Sequence, residues 1–270
     1  MSELKENTQE ESSSKEFALK IFNCSPLKKE KLNKLLKHSY SKFDNKVCLD
    51  IGSDNGVISY LLRQRGGSWY SADLIPETVD SIKELVGKNV FSIQDGSTSF
   101  NDSFFDLVIV VDMLEHLEND LEFVQDLKRI SKPESEILIN VPSPRKGVLR
   151  FIKNKIGQTD AAHGHLRAGY EIDELAKMMG DRYQLVSYEY YQKSFSVFID
   201  MLITFGLEIL KGGRSKKGTV VVKSDIEKLK KSFKMFKLVS PIILFFTKLD
   251  KLLFFLKGNM LIARFKNNGN

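Results

Sequence analysis

Only two cysteines, Cys24 and Cys48, occur in the 270 residues. They are too few for a disulfide framework or a four-thiolate metal site, so a reducing, cytoplasmic setting is expected. No apolar run reaches the ~18–20 residues that a bilayer-spanning helix needs. Val239 to Phe246 is short, and Asp200, Lys248, Asp250 and Lys251 interrupt its neighbours. Residues 1–17 are rich in Ser, Glu and Lys without an apolar stretch, which speaks against a signal peptide and predicts a disordered tail over 1–20. The dinucleotide pattern Gly-x-Gly-x-x-Gly fails at Asp54 and Val57, and no Gly-x-x-x-x-Gly-Lys-Ser/Thr is present, which argues against a P-loop nucleotidase. Histidine is scarce as well, with four in the chain.

What is present is a globular composition, 42% hydrophobic with 19 Phe. The net charge of +6 is unevenly spread. Residues 211–270 hold 15 Lys/Arg against 3 Asp/Glu, while residues 1–210 hold 26 against 32. Such a split points to a surface with an anionic partner.

The most informative stretch runs from Val47 to Val57. Val47, Cys48, Leu49 and Ile51 form a continuous apolar strand of the kind covered on both faces. Gly52 and Gly56 allow a tight turn and close approach of a ligand. Ile58, Leu61 and Leu62 then follow at helical spacing, predicting a helix that opens near Asn55 with its N–H groups toward an anion. Ser68 to Ala72 is a second strand, closed by Asp73, and Pro76 starts the next helix. Val90 to Ile93 is a third strand ending near Asp95 and Gly96. Phe105 to Asp112 is a fourth, followed by Met113-Leu114-Glu115-His116-Leu117. Taken singly these have plainer readings: an ordinary strand-to-helix turn, a helix-capping Asp73, a loop Asp95.

In this order, however, the segments resemble the class I S-adenosylmethionine-dependent methyltransferases of the small-molecule and lipid-directed type. Asp50-x-Gly52-x-x-x-Gly56 is similar to the family's first motif, with Asp54 standing where a glycine is usual. The resemblance implies an α/β fold: a doubly wound, Rossmann-like seven-stranded sheet whose antiparallel last strand inserts beside the fifth. It implies S-adenosyl-L-methionine as cofactor, held by Asp50, Gly52, Ser53, Asp54, Gly56, Asp73, Leu74, Asp95, Gly96 and Asp112. Asp73 would accept both ribose hydroxyls, because two carboxylate oxygens can face a vicinal diol.

The rest of the chain is read around that core. Residues 27–40 form a lysine-rich amphipathic helix, in a position where the family covers the cofactor. The core spans 21–191, with a helix at 118–130 whose inner face is Leu117, Leu121, Val124 and Leu127. Ile137 to Val141 is the fifth strand, Tyr183 to Tyr191 the sixth, and residues 258–270 supply the closing strand and tail. Residues 192–257 are then a helical insertion. It is either a cap on the core or, the favoured reading, an interfacial helix pair on an anionic membrane at the inner face of the cell membrane.

For the chemistry, an oxygen acceptor often needs a base near neutral pKa. His38 is assigned to the surface. His116, His163 and His165 are the candidates that touch the acceptor, the latter two in a polar loop whose His165-x-Arg167-x-x-Tyr170 run is similar to one in bacterial methyltransferases. The bland alternative is a structural loop whose Arg167 pairs with a carboxylate. No metal is expected, for want of a third ligand beside His163 and His165. No Asp/Asn-Pro-Pro-Tyr/Phe motif follows the fourth strand, which places nucleic acid second to a small-molecule, lipid or lipid-linked saccharide acceptor. Tyr188, Tyr190, Tyr191, Phe195 and Phe198 could line an apolar channel or belong to the core. A non-catalytic cofactor-binding scaffold is the third reading.

Overall fold

A computed structural model describes residues 15–39, 43–94, 96–144, 155, 159, 164–199, 201–202, 237–253 and 256–269. Seven strands form one sheet in the order β3-β2-β1-β4-β5-β7-β6. They are β1 (Val47–Ile51), β2 (Ser68–Asp73), β3 (Val90–Ser92), β4 (Phe105–Val111), β5 (Ser131–Pro142), β6 (Tyr183–Tyr191) and β7 (Met260–Asn267). β7 runs antiparallel to both β5 and β6, and the β1, β2, β3, β4 and β5 pairings are parallel. This is the doubly wound architecture expected, with the last strand inserted beside the fifth.

The sheet is covered on both sides because its central strands alternate between two apolar faces. Leu49, Val108, Val110, Ile137 and Ile139 pack with Phe123, Val124 and Leu127 of α5 (Asp120–Ile130) and with Leu175 and Met179 of α6 (Ile172–Met179). Cys48, Leu107, Ile109 and Leu138 face the opposite side. There they meet Phe22 of α1 (15–23), Leu32 and Leu35 of α2 (Pro26–His38) and Val57, Ile58 and Leu62 of α3 (Val57–Arg63). Between β2 and β3, α4 (Pro76–Val86) buries Thr78, Val79, Ile82 and Leu85. Leu121 does not belong to the inner face of α5. It is 57% exposed, and Phe123 and Ile130 are buried instead, because α5 starts at Asp120 and its phase turns Leu121 outward.

Part of the insertion is described. Residues 194–199 and 201–202 are helical (α7), and 237–249 form α8, followed by a short 3-10 turn at Asp250–Leu253. The buried Asp250 carboxylate joins the two. It accepts the backbone N–H groups of Lys193 and Phe195, both at 2.9 Å, and the Ser196 hydroxyl at 2.5 Å. It therefore caps α7 from across the insertion. Residues 1–14 of the leading tail and the Gly/Lys/Arg-rich stretch 211–218 of the insertion lie outside the described residues.

Candidate cofactor and acceptor site

The carboxyl ends of β1, β2 and β4 converge on one crevice, the usual ligand position of an open α/β sheet. Gly52 and Gly56 both sit at φ +79°. A Cβ on Gly52 would lie 2.2 Å from the Val111 carbonyl oxygen, and one on Gly56 would lie 2.8 Å from the Ile82 Cα. The glycines are thus required by β4 and α4 as well as by the turn. Asp54 adopts a left-handed φ of +57° between them, a conformation Asp tolerates better than most residues.

Asp50 is fully buried beneath the turn. Its carboxylate accepts the hydroxyls of Ser53, Ser59 and Ser71, tying β1, the turn, α3 and β2 together. Burial raises its pKa, against the three seryl hydrogen bonds. Asp73 is 5% exposed at the end of β2. Its Oδ1 accepts the Ile75 N–H at 3.0 Å, and among the described residues no Lys or Arg pairs with it. Burial pushes its pKa up to about 6, with Asp54 and Asp50 adding to the shift. Leu74 beside it packs against the core, and Gly96 turns at φ +70° with open space around it. Asp95 and His163 lie outside the described residues.

The lysine-rich character of α2 is visible in the sequence, but the ion pairs its lysines make are not. Lys28 reaches Asp54 at 2.6 Å, and Lys31 pairs with Asp112. Lys34 and Lys37 both pair with Glu189 of β6. Despite burial, hydrogen bonds from Lys34, Lys37 and His38 bring Glu189 down to about 2. His38 is not a surface residue: it is 7% exposed, with Nδ1 2.9 Å from the Ser187 hydroxyl and Nε2 3.3 Å from Glu189. Lysines recurring every third residue, ending in a histidine, were the available signal. They bind α2 across the crevice mouth. Asp112, at φ +48°, also accepts the Asn140 amide at 2.7 Å, and Asn140 in turn accepts the buried Tyr191 hydroxyl at 2.6 Å. Tyr191 therefore belongs to the core, whereas Tyr188 is 50% exposed.

Beyond β4, a 3-10 turn (Leu114–His116) carries Glu115 and His116. The loop at 164–170 folds back onto it. Leu166 donates its N–H to the Glu115 carbonyl at 2.8 Å. Arg167 pairs with Asp120 and donates to the Leu117 carbonyl at 3.0 Å, and the Tyr170 hydroxyl donates to Asp120 at 2.7 Å. Arg167 thus has the structural role, and the loop it anchors brings the His165 ring to 4.8 Å from that of His116. Glu115 is fully buried beside them, and burial, with Asp112 adding, lifts its pKa to about 8.

The methyltransferase domain family matches residues 49–139, the span from β1 through the crevice and the Leu-Glu-His turn to β5. The chain carries a class I S-adenosylmethionine-dependent methyltransferase domain. S-adenosylmethionine is the cofactor of that domain. The ubiquinone biosynthesis O-methyltransferase of Rickettsia bellii is 23% identical over 129 residues, covering 46% of this chain and 53% of that protein. The enzyme of the same name from Haemophilus ducreyi is 26% identical over 105 residues, covering 35% and 44%. The chain spans about half the length of the curated relatives it matches. Among solved structures, the N-methyltransferase NodS of Bradyrhizobium japonicum, in complex with S-adenosyl-L-homocysteine, superposes with a TM-score of 0.52 at 14% identity over 91% of this chain and 90% of NodS. The [4+2]-cyclase SpnF superposes with a TM-score of 0.57 at 11% identity over 90% and 82%. At such identities the likeness is one of fold.

Proposed function

We propose that this methyltransferase domain acts in a transferase that moves a methyl group from S-adenosylmethionine to an oxygen of a small-molecule, lipid or lipid-linked saccharide acceptor. The observation that carries the reading is Asp73: a buried carboxylate at the end of β2, hydrogen-bonded to the backbone that follows it and paired with no described cation. A ribose diol would supply the hydrogen bonds it lacks. The bound cofactor supplies an activated methyl group. The chain's own residues set the geometry: Asp50 braces the turn, Gly52 and Gly56 keep it close to the sheet, and α2 covers the mouth and excludes water.

A lipid-like acceptor is supported by the surface of the insertion. Leu238, Ile242 and Phe245 of α8 recur at helical spacing and are 76%, 50% and 59% exposed, with Leu252 at 67% beyond them. An apolar stripe of this kind, beside a strongly basic segment, suits an anionic membrane surface. The relatives' name, ubiquinone biosynthesis O-methyltransferase, favours an aromatic hydroxyl on a lipid-tailed molecule. Incubation with methyl-labelled cofactor and separate lipid, saccharide and RNA extracts tests the reading. Label is expected in the lipid or saccharide fraction; label confined to RNA, or none in any fraction, overturns it.

A further inference from the structure

The face of α2 that closes the crevice carries a charged group that its ion pairs do not absorb. Lys31 is fastened to Asp112 and Lys34 to Glu189, so residues at this spacing face the carboxyl edge of the sheet. Glu30 stands beside Lys31 and one turn before Lys34. It is half-buried, and its Oε2 is sealed from water with no hydrogen-bond partner among the described residues. A sealed carboxylate oxygen without a donor is costly, and a ligand hydroxyl would supply the missing hydrogen bond. The charged groups around it are Lys34 of its own helix, Glu189 of β6 and the Asp250 carboxylate that caps α7. Burial, with Asp250 and Glu189 adding, pushes the Glu30 pKa up to about 7 against the pull of Lys34.

Glu30 also adjoins the polar network at the centre of the crevice. The Tyr191 phenol lies within electrostatic reach of both Asp112 and Glu30, which reinforce burial in holding its pKa well above the ordinary tyrosine value. The phenol hydroxyl is turned to Asn140, which donates in turn to Asp112, so Tyr191 does not supply the donor that Glu30 lacks. Asp112 follows Val111, whose carbonyl lies against Gly52 of the glycine turn. Glu30 therefore sits on the α2 side of the crevice, where an acceptor would meet a cofactor lying on that turn.

We propose that Glu30 is a catalytic residue of the methyl transfer, binding the reacting hydroxyl of the acceptor and taking its proton. This role rests on the oxygen-directed transfer proposed above, and it gives the part of base to a carboxylate on α2 instead of a histidine. In the step, the acceptor O–H gives its proton to the Glu30 carboxylate, an O–CH3 bond forms, and the methyl–sulfur bond breaks with its electron pair left on sulfur. The carboxylate and sulfonium charges are both neutralised, so no further reactant is required. A base that titrates near neutral pH is suited to this task.

The test compares the full chain with Glu30→Gln and Glu30→Asp. With glutamate carboxyls labelled with 13C, the resonance that disappears in Glu30→Gln is expected to titrate near pH 7 in the wild type. Calorimetric affinity for S-adenosylhomocysteine should be unchanged in Glu30→Gln, which also shows that the variant is folded. Transfer of labelled methyl into the lipid or saccharide extract should fall about a hundredfold or more in Glu30→Gln and lose its rise through neutral pH. Glu30→Asp should recover part of the rate and keep the rise; a merely structural Glu30 would leave the pH profile unmoved. Should Glu30→Gln fail to fold, Glu30→Asp decides, and an unchanged rate there overturns the role. An unchanged rate and pH profile in Glu30→Gln, or a Glu30 carboxyl that titrates below about pH 5, overturns this role alone. Label confined to RNA, or absent from every fraction, with the wild type overturns the oxygen-transfer reading and this role with it.

Discussion

Asp73, proposed above to grip the cofactor's ribose, opposes stability. Its folded pKa of about 6 lies above the ordinary carboxylate value of 3.8 because burial disfavours the charged form. The protonated side chain contributes stability that is complete below about pH 4. That contribution is lost as pH rises through about 6. Asp73→Asn removes the buried charge and keeps an acceptor for the Ile75 N–H. The variant should therefore be more stable than wild type at pH 7.5, by on the order of 2 kcal/mol, and little changed at pH 4. Denaturant titrations at the two pH values measure this. The same substitution should weaken S-adenosylmethionine binding roughly ten- to a hundredfold in calorimetry, since a charge-assisted contact is worth ~1.5–3 kcal/mol. Unchanged affinity would remove Asp73 from the cofactor pocket.

At the scale of elements, two sets of polar contacts matter: one fastens α2 to the sheet, the other joins the described helices of the insertion. α2 is held over the crevice by Lys28–Asp54 and the more buried Lys31–Asp112 pair. Replacing both lysines by Ala should speed amide exchange in Pro26–His38 by about tenfold, an opening cost lowered by ~1–2 kcal/mol, while the strands keep their protection. Equal exchange in wild type and variant would mean that Leu32 and Leu35, with the Lys34, Lys37 and His38 contacts to β6, dock the helix without these two pairs. In the insertion, the Asp250 carboxylate accepts the backbone N–H groups at the α7 N-terminus, beside the contact of Phe246 with Phe195. Asp250→Ala should cost the insertion about 1–2 kcal/mol and expose 194–202 and 237–249 to limited proteolysis before the core is cut.

For the molecule as a whole, the charge split and the exposed apolar stripe lie in the same region of chain. Residues 211–270 carry 15 Lys/Arg against 3 Asp/Glu, and the α8 stripe of Leu238, Ile242 and Phe245 falls within them. The full chain is expected to sediment with phosphatidylglycerol vesicles and not with phosphatidylcholine vesicles. Binding should weaken with added salt, and Leu238→Ser combined with Phe245→Ser should reduce it about tenfold or more. Equal recovery with both lipids, or with neither, would leave the insertion as a cap on the core.

The sheet was legible because its signals are local. A buried strand, a glycine turn and an acid at the end of the next strand each lie within a few residues, and their periodicity follows from backbone geometry alone. Leu121 and His38 were misread for a related reason. A helix's starting phase decides which side of α5 turns inward, and only the packing of α2 against β6 shows that His38 meets Ser187 and Glu189.

By itself, then, the chain's order of residues determined the doubly wound core, the Gly52–Gly56 turn and the acid at Asp73. Tertiary structure decided the rest: the lysines of α2 on Asp54 and Asp112, the Asp250 cap, and the meeting of Glu115 and His116 with His165. Those partners lie far apart along the chain, and their distances exist only once the sheet has closed and its loops have packed.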